Sequence, residues 1–222
     1  MKVSVVIPTM NEEKSIGAVL DDINRSMSAS KYEYEAIIVD TNSKDRTREI
    51  ALSKGAKVVE EPRRGYGRAY KSGFAAANGE VIATMDADCT YPAEDIPELC
   101  DTLFKEDLDF ISTDRFANME EGAMSGMHRF GNKVLTTTSR LLFNVKYNDS
   151  QSGMWIFRRS ILGELNVEDD GMPFSEEIKI EAFRKVRSKE VPIVYRKRVG
   201  EVKLSSWKDG WKNFKFLWKK RF

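Results

Sequence analysis

Short runs of β-branched and apolar residues alternate with stretches of helical periodicity through the first half of the chain, and few folds accommodate that alternation. Residues 3–7 form one run closed by Pro8, residues 36–39 a second closed by Asp40, residues 58–59 a third, residues 81–85 a fourth closed by Asp86, and residues 110–112 a fifth. Between the first two, Ile16, Val19, Leu20 and Ile23 recur at helical spacing behind Asn11, Glu12 and Glu13, so a helix capped by Asn11 is expected. Asp45 is expected to cap a second helix ending at Gly55, and an alanine-rich third leads from the Arg63-Arg64-Gly65-Tyr66-Gly67-Arg68 segment to Asn78-Gly79. Asp95 and Glu98 have capping-box spacing, with Pro97 in the first turn of a fourth helix. Strands that alternate with helices need crossover connections, which implies an α/β domain with a mostly parallel central sheet. At 222 residues the chain is long enough for one such domain.

The alternation weakens after about residue 115. Residues 120–125 read as a loop, 128–143 as a helix in spite of three consecutive threonines, and 155–157 and 191–195 as short strands flanking a helix over 178–185. Loops carried on a rigid sheet commonly host function, so this irregular half is expected to contribute substrate contacts.

Composition removes several classes. Apolar residues make up 41% of the chain and the net charge is only +1, which excludes intrinsic disorder. No run approaches the ~20 apolar residues of a membrane span, and the N-terminal apolar stretch is too short for a signal peptide, so a cytoplasmic protein is expected. Cys89 and Cys100 lack a second pair and His128 is the single histidine, so a zinc site cannot be assembled. Any metal would be held by carboxylates, which favours Mg²⁺ or Mn²⁺.

The charge is unevenly placed. Residues 208–222 carry a net +5, leaving −4 on the remainder. In the same stretch Trp207, Trp211, Phe214 and Trp218 fall on one helical face, with Lys208, Lys212, Lys215 and Lys219 beside it. Tryptophan flanked by lysine is the composition of a helix lying in the headgroup plane of a bilayer. Residues 207–222 are therefore expected to form an amphipathic, interfacial helix appended to a domain of residues 1–206, with peripheral membrane contact and no nucleic-acid partner. A helix docked on the domain through its tryptophans is the alternative.

Asp86-Ala87-Asp88 follows the fourth strand, and two carboxylates two residues apart at a strand end can face one divalent ion. Pro8, Asp40 and Asp86 all lie just beyond strand ends, the rim at which open parallel sheets bind ligands. The Gly65-Tyr66-Gly67-Arg68-Ala69-Tyr70 segment is not a dinucleotide fingerprint, because the third glycine and a directly preceding strand are missing.

Val5-Val6-Ile7-Pro8-Thr9-Met10-Asn11-Glu12-Glu13, Ile38-Val39-Asp40, the Gly65–Ala69 segment with Asn78-Gly79-Glu80, and Met85-Asp86-Ala87-Asp88 occur in the order found in family 2 glycosyltransferases. Downstream, Asp149-Ser150-Gln151-Ser152-Gly153 and Arg198-Val199-Gly200-Glu201-Val202-Lys203 resemble the dolichyl-phosphate mannose synthase branch. The resemblance implies a GT-A, Rossmann-like fold and inverting transfer of a hexose from a nucleotide sugar to dolichyl or polyprenyl phosphate at the cytosolic face of a membrane. It places Pro8, Thr9, Glu12 and Asp40 at the nucleotide and Asp86 and Asp88 on the metal. Arg115, Arg129, Arg198 and Lys203 fall at the diphosphate and acceptor phosphate, and Asp149 and Gln151 near the sugar. Asp86, Asp88, Asp149 and Arg129 are the catalytic candidates. Two positions depart from the pattern: Thr41 stands where a second aspartate is usual, and Thr90 where mannose synthases commonly have glutamine. Transfer to a hydroxyl, with Asp149 or Glu176 as base, and a non-catalytic nucleotide-sugar-binding module are the competing readings.

Overall fold

In β1 (Lys2–Thr9) successive side chains point to opposite sides of the sheet, and both sides are apolar. Val3, Val5 and Ile7 join one hydrophobic cluster and Val6 joins another. A strand buried on both faces belongs in the middle of a sheet covered by helices on each side, and β1 occupies that position. The computed structural model describes residues 1–200 and 206–222, with the side chains of 206–209 outside the description.

The remaining strands are β2 (Glu33–Asp40), β3 (Lys57–Glu60), β4 (Val81–Thr84), β5 (Phe110–Met119), β6 (Trp155–Arg158) and β7 (Ser188–Tyr195). They form one sheet in the order β3-β2-β1-β4-β6-β5-β7. All neighbours pair in parallel except β6, which runs antiparallel to both β4 and β5. The expected α/β class and mostly parallel sheet are the architecture observed.

Helices α1 (Ile16–Ser28) and α4 (Ile96–Lys105) cover one face, where Ile16, Val19, Leu20, Ile23, Leu99, Cys100 and Leu103 meet Val3, Val5, Ile7 and Ile38. The short α2 (Thr47–Ser53) packs beside α1. Helices α3 (Tyr66–Ala76) and α6 (Phe174–Lys185) cover the other face, where Tyr70, Phe74, Phe174 and Ile178 pack on Val6, Ile37, Val39 and Trp155. A third cluster joins Leu135 and Phe143 of α5 (Gly126–Phe143), Ile180 of α6 and Leu217 of α7 (Ser206–Arg221).

Gly73 sets how closely α3 approaches the sheet. A Cβ there would stand 2.3 Å from Val6 Cγ1 and 2.9 Å from Val39 Cγ2. Gly73→Ala is therefore expected to destabilise the fold by ~1–3 kcal/mol through overpacking, measured as a lowered midpoint in urea unfolding.

Several local expectations shift. Asn11 does not cap α1. It adopts φ 55° and ties two loops together, its N–H donating to Ser43 Oγ at 2.8 Å and its Oδ1 accepting from Lys44 N at 2.7 Å. The helix starts later, at Ile16. Asp45 does meet α2, its Oδ1 accepting from Thr47 N and Oγ1 at 3.1 and 2.5 Å, but it stands one residue before the N-cap position. Asp95 precedes α4 without a side-chain capping bond. Strands β5 and β7 are longer than their apolar cores suggested, because their outer halves pair with each other.

Candidate active site

The carboxyl ends of β1, β2 and β4 form a rim, and polar residues collect there because each parallel strand must leave the sheet at that edge. Thr9, the last residue of β1, is 3% exposed and donates its hydroxyl to Val39 O at 3.4 Å and Asp40 Oδ1 at 3.5 Å. Asp40, the last residue of β2, accepts from Ser43 N at 3.1 Å on Oδ2 and lies 3.5 Å from Arg48 Nε. Thr41 donates its N–H to Thr9 O at 2.8 Å, so here the position spaces the two strand ends. Pro8 is half-buried on the same rim. Glu12 is half-buried as well, its N–H donating to Thr47 Oγ1 at 2.7 Å. Its Oε2 would be 3.7 Å from a Cβ at Gly200, which brings the 198–200 segment to the rim.

Asp86 and Asp88 lie just past β4. Asp88 is 2% exposed; its Oδ1 accepts from Thr90 N at 3.1 Å and Thr90 Oγ1 at 2.6 Å. Thr90 thus fixes the orientation of Asp88, a role of the kind that outer-shell groups play around metal ligands. Asp86 remains partly open. Burial, followed by the charge of Asp88, raises its carboxyl to about 7, the behaviour of two neighbouring acids that call for a cation.

The 196–199 segment closes over these acids. Arg196 N donates to Thr90 O at 3.0 Å and Val199 N to Asp88 O at 2.9 Å. Arg198 Nη2 sits 2.6 Å from Asp88 Oδ2, yet no donor hydrogen is aligned on that oxygen. A hard divalent ion fits this donor set. Among the described residues no cluster of three or more acidic, histidine or cysteine ligands forms, which suits an ion that completes its shell with substrate oxygens.

Arg115 and Asp149 form a buried pair. Arg115 Nε donates to Asp149 Oδ2 at 2.6 Å and Nη2 to Oδ1 at 2.9 Å, while the Arg115 backbone N–H reaches Oδ2 at 3.2 Å. Burial alone would raise the Asp149 carboxyl, but Arg115 outweighs it and holds the group below the usual range. Asp149 is 0% exposed with both oxygens taken by Arg115, so it holds that guanidinium in place. The Arg115 guanidinium packs over the Tyr195 ring, 5.3 Å from its centroid.

Residues 149–153 are tethered along their whole length. Glu190 accepts from Asp149 N at 3.0 Å, and Trp155 Nε1 donates to Ser152 O at 2.8 Å. Tyr91 Oη accepts from Gly153 N at 2.7 Å, and Thr84 Oγ1 donates to Gly153 O at 2.9 Å. Gln151 is half-buried at the loop's centre. Arg129, one turn into α5, is exposed. Lys203 lies outside the described residues.

Tyr66, Tyr70, Tyr91 and Lys179 were given no role in the sequence reading, and Thr90, noted there as a departure from the family pattern, turns out to orient Asp88. Burial and the Asp86 charge push all three phenols up. The one available signal was α6, whose Ser175, Glu176, Glu177, Lys179 and Glu181 are all buried. Charged residues spread around a helix flanked by core aromatics cannot all face water. Glu176, weighed as a base, is 0% exposed, with Oε1 accepting from Ser150 Oγ at 3.1 Å.

Residues 4–165 match the family described as glycosyl transferase family 2. The low-salt glycan biosynthesis hexosyltransferase Agl6 of Haloferax volcanii is 35% identical over 96% of this chain, which spans about half (52%) of that relative's length. The dolichyl-phosphate hexose transferase of the same organism is 37% identical over 93% of this chain and 88% of its own. Glucosyl-3-phosphoglycerate synthase from Mycobacterium tuberculosis, solved with Mn²⁺, UDP and glucosyl-3-phosphoglycerate, superposes with a TM-score of 0.80 at 21% identity, over 99% of this chain and 80% of that one. The likeness extends the fold assignment to the GT-A arrangement.

Proposed function

We propose that this chain, which belongs to glycosyl transferase family 2, moves a hexose from a GDP-mannose- or UDP-glucose-type donor to dolichyl or polyprenyl phosphate with inversion. The observation that carries this reading is the condition of the carboxylates a hydroxyl acceptor would need. Both Asp149 oxygens are engaged by Arg115, and Glu176 is sealed within α6 packing. A hydroxyl attacks with the help of a base. A phosphate monoester, with its second pKa near ~6, is already mostly dianionic at pH 7 and needs none. The 37% identity to a dolichyl-phosphate hexose transferase supports the same acceptor class.

In this reading Pro8, Thr9, Glu12 and Asp40 line the nucleoside pocket, and Asp86 and Asp88 would hold Mg²⁺ or Mn²⁺. Bound there, the ion supplies Lewis-acid charge to the departing diphosphate. Thr90 keeps Asp88 aimed at that position. Arg198 and Arg115 add fixed positive charge, Arg198 at the open side and Arg115 from beneath, so little reorganisation is needed as charge develops. The guanidinium fork of Arg129 suits the acceptor phosphate, with Lys203 as a second cation and Gln151 beside the sugar.

In this reading the reaction runs at a membrane surface, on the cytosolic face. No helix among the described residues is long and apolar enough to cross a bilayer. Instead α7 exposes Trp211 (59%) and Trp218 (47%), linked through Phe214 in an aromatic ladder with centroid separations of 5.8 and 6.5 Å. Helix α5, packed against α7, exposes Met127, Phe130, Val134 and Leu141. Apolar side chains beside lysines on an unsheathed helix suit a headgroup interface.

The test supplies Mn²⁺, a labelled nucleotide sugar and either dolichyl phosphate or dolichol in detergent. Labelled lipid is expected only with the phosphate. Transfer to dolichol would overturn the acceptor assignment, and no transfer with any common donor would leave a binding module.

A further inference from the structure

Three helices converge on residues 149–153. From α5, Thr136 Oγ1 donates to Ser150 Oγ at 3.0 Å and accepts from Ser150 N at 3.0 Å. From α6, Glu176 Oε1 accepts from Ser150 Oγ, and Lys179 Nζ donates to Asp149 O at 2.7 Å and Ser152 O at 3.0 Å. From α7, Asn213 Nδ2 donates to Gln151 Oε1 at 2.8 Å, and Gln151 Nε2 in turn donates to Ser150 Oγ at 3.0 Å. At the far end of the loop a Cβ on Gly153 would stand 3.5 Å from Asp86 Oδ1 and 2.6 Å from Tyr66 Oη. The end of the loop therefore lies beside Asp86, with no room for a side chain between them.

Asn213 is an unexpected residue for its place. It is 4% exposed, one turn before the fully buried Leu217, and among the described residues its Oδ1 has no hydrogen-bond partner. A leucine has the same branched skeleton and would strand no acceptor, and an unsatisfied buried oxygen costs free energy. The amide's other half makes the bond to Gln151, which offsets that cost. Glu176 Oε2 is likewise unpartnered; burial raises this carboxyl to about 8, so at neutral pH it anchors Ser150 without adding a charge beside the loop.

We propose that Asn213 is a positioning residue for sugar transfer, through which the seating of α7 holds Gln151 and locks residues 149–153 against Asp86, an inference that rests on the transfer reading above. The C-terminal helix then has two jobs on opposite faces: aromatic residues outward, and one amide inward that orders the site.

A double-mutant cycle tests it with Asn213→Ala, Gln151→Ala and the pair, and with Asn213→Leu to keep a branched side chain at the position without its amide. Asn213→Ala and Asn213→Leu are each expected to lower kcat ~10-fold, the scale of small misplacements near reacting groups, with the affinity for nucleoside diphosphate and Mn²⁺ unchanged. In the Gln151→Ala background the further loss should be less than about twofold, because interacting residues are non-additive. Equal losses in both backgrounds, or an unaffected kcat, would overturn the proposal. Amide hydrogen exchange gives a readout that does not depend on turnover: residues 150–153 should exchange faster in Asn213→Leu while α7 stays protected. If the unmodified protein transfers no sugar, the transfer reading fails while this exchange result still decides the coupling; unchanged exchange would refute it.

Discussion

Asp88→Ala is expected to lower sugar transfer by roughly three orders of magnitude, the scale of the several kcal/mol that a metal ion contributes to charge stabilisation, and to leave the protein as stable as before or slightly more so. The two halves of that result have one cause. Asp88 is buried beside Asp86, and its charge helps raise the Asp86 carboxyl to about 7. Removing it relieves a like-charge contact, which offsets the loss of the Thr90 hydrogen bonds and of the contact with the partly exposed Arg198, so the melting temperature should hold while kcat collapses. A protein that lost activity only because it unfolded would show the opposite pattern, and thermal melts run beside the assays separate the two. Full activity in the variant would refute the metal assignment.

Asp149→Ala should behave in the reverse manner. Arg115 is 7% exposed and would keep its charge with no carboxylate to meet it. Breaking one side of a buried ion pair costs roughly 3–5 kcal/mol, a fall of about 10 °C or more in melting temperature for a chain of this size. Replacing both residues, as Arg115→Met with Asp149→Leu, should recover most of that stability and none of the activity. If Asp149→Ala melted like the parent protein, the pair would be a surface contact and this description of the site would be wrong. The pH dependence has a definite sign. A carboxylate whose folded pKa is depressed stabilises the fold above the unfolded value near ~4, and the contribution is lost as pH falls further toward the folded pKa. The parent should therefore lose this part of its stability in acid, and the double variant should not.

The two predictions mark how far the sequence could be read. Val3, Val5 and Ile7 against Val6 spell a strand buried on both sides, and the same pattern at Ile37, Ile38 and Val39 places its neighbour. Periodicity is local, and so is the rim that follows from it: Thr9, Asp40 and the acids after β4 lie where strand ends must lie. The ordered motifs carried the family. The insertion of β6 between β4 and β5 was not legible, because Trp155 and Ile156 find partners more than forty residues away with no local signature. Nor was the pairing of Asp149 with Arg115, since a motif names a residue without saying which way its side chain faces. Asn11 reads as a helix cap from its neighbours, but the tertiary contact with Ser43 and Lys44 captured it first.

The tail divided in the same way. Its aromatic spacing grouped Trp211, Phe214 and Trp218, which follow one another along α7, the first two rings stacked and the third tilted against Phe214. The inward face was invisible, since Asn213 and Leu217 become inner residues only once α5 and α6 are in place. Trp207 and Lys208, counted in the original stripe, have side chains outside those described.

Calorimetric titration of a nucleoside diphosphate, GDP or UDP, into the purified protein with and without Mn²⁺ tests the central claim most directly. The account predicts tight binding that requires the ion and disappears in an Asp86→Ala, Asp88→Ala double variant. Binding of equal strength without metal, or binding that survives loss of both acids, would contradict it.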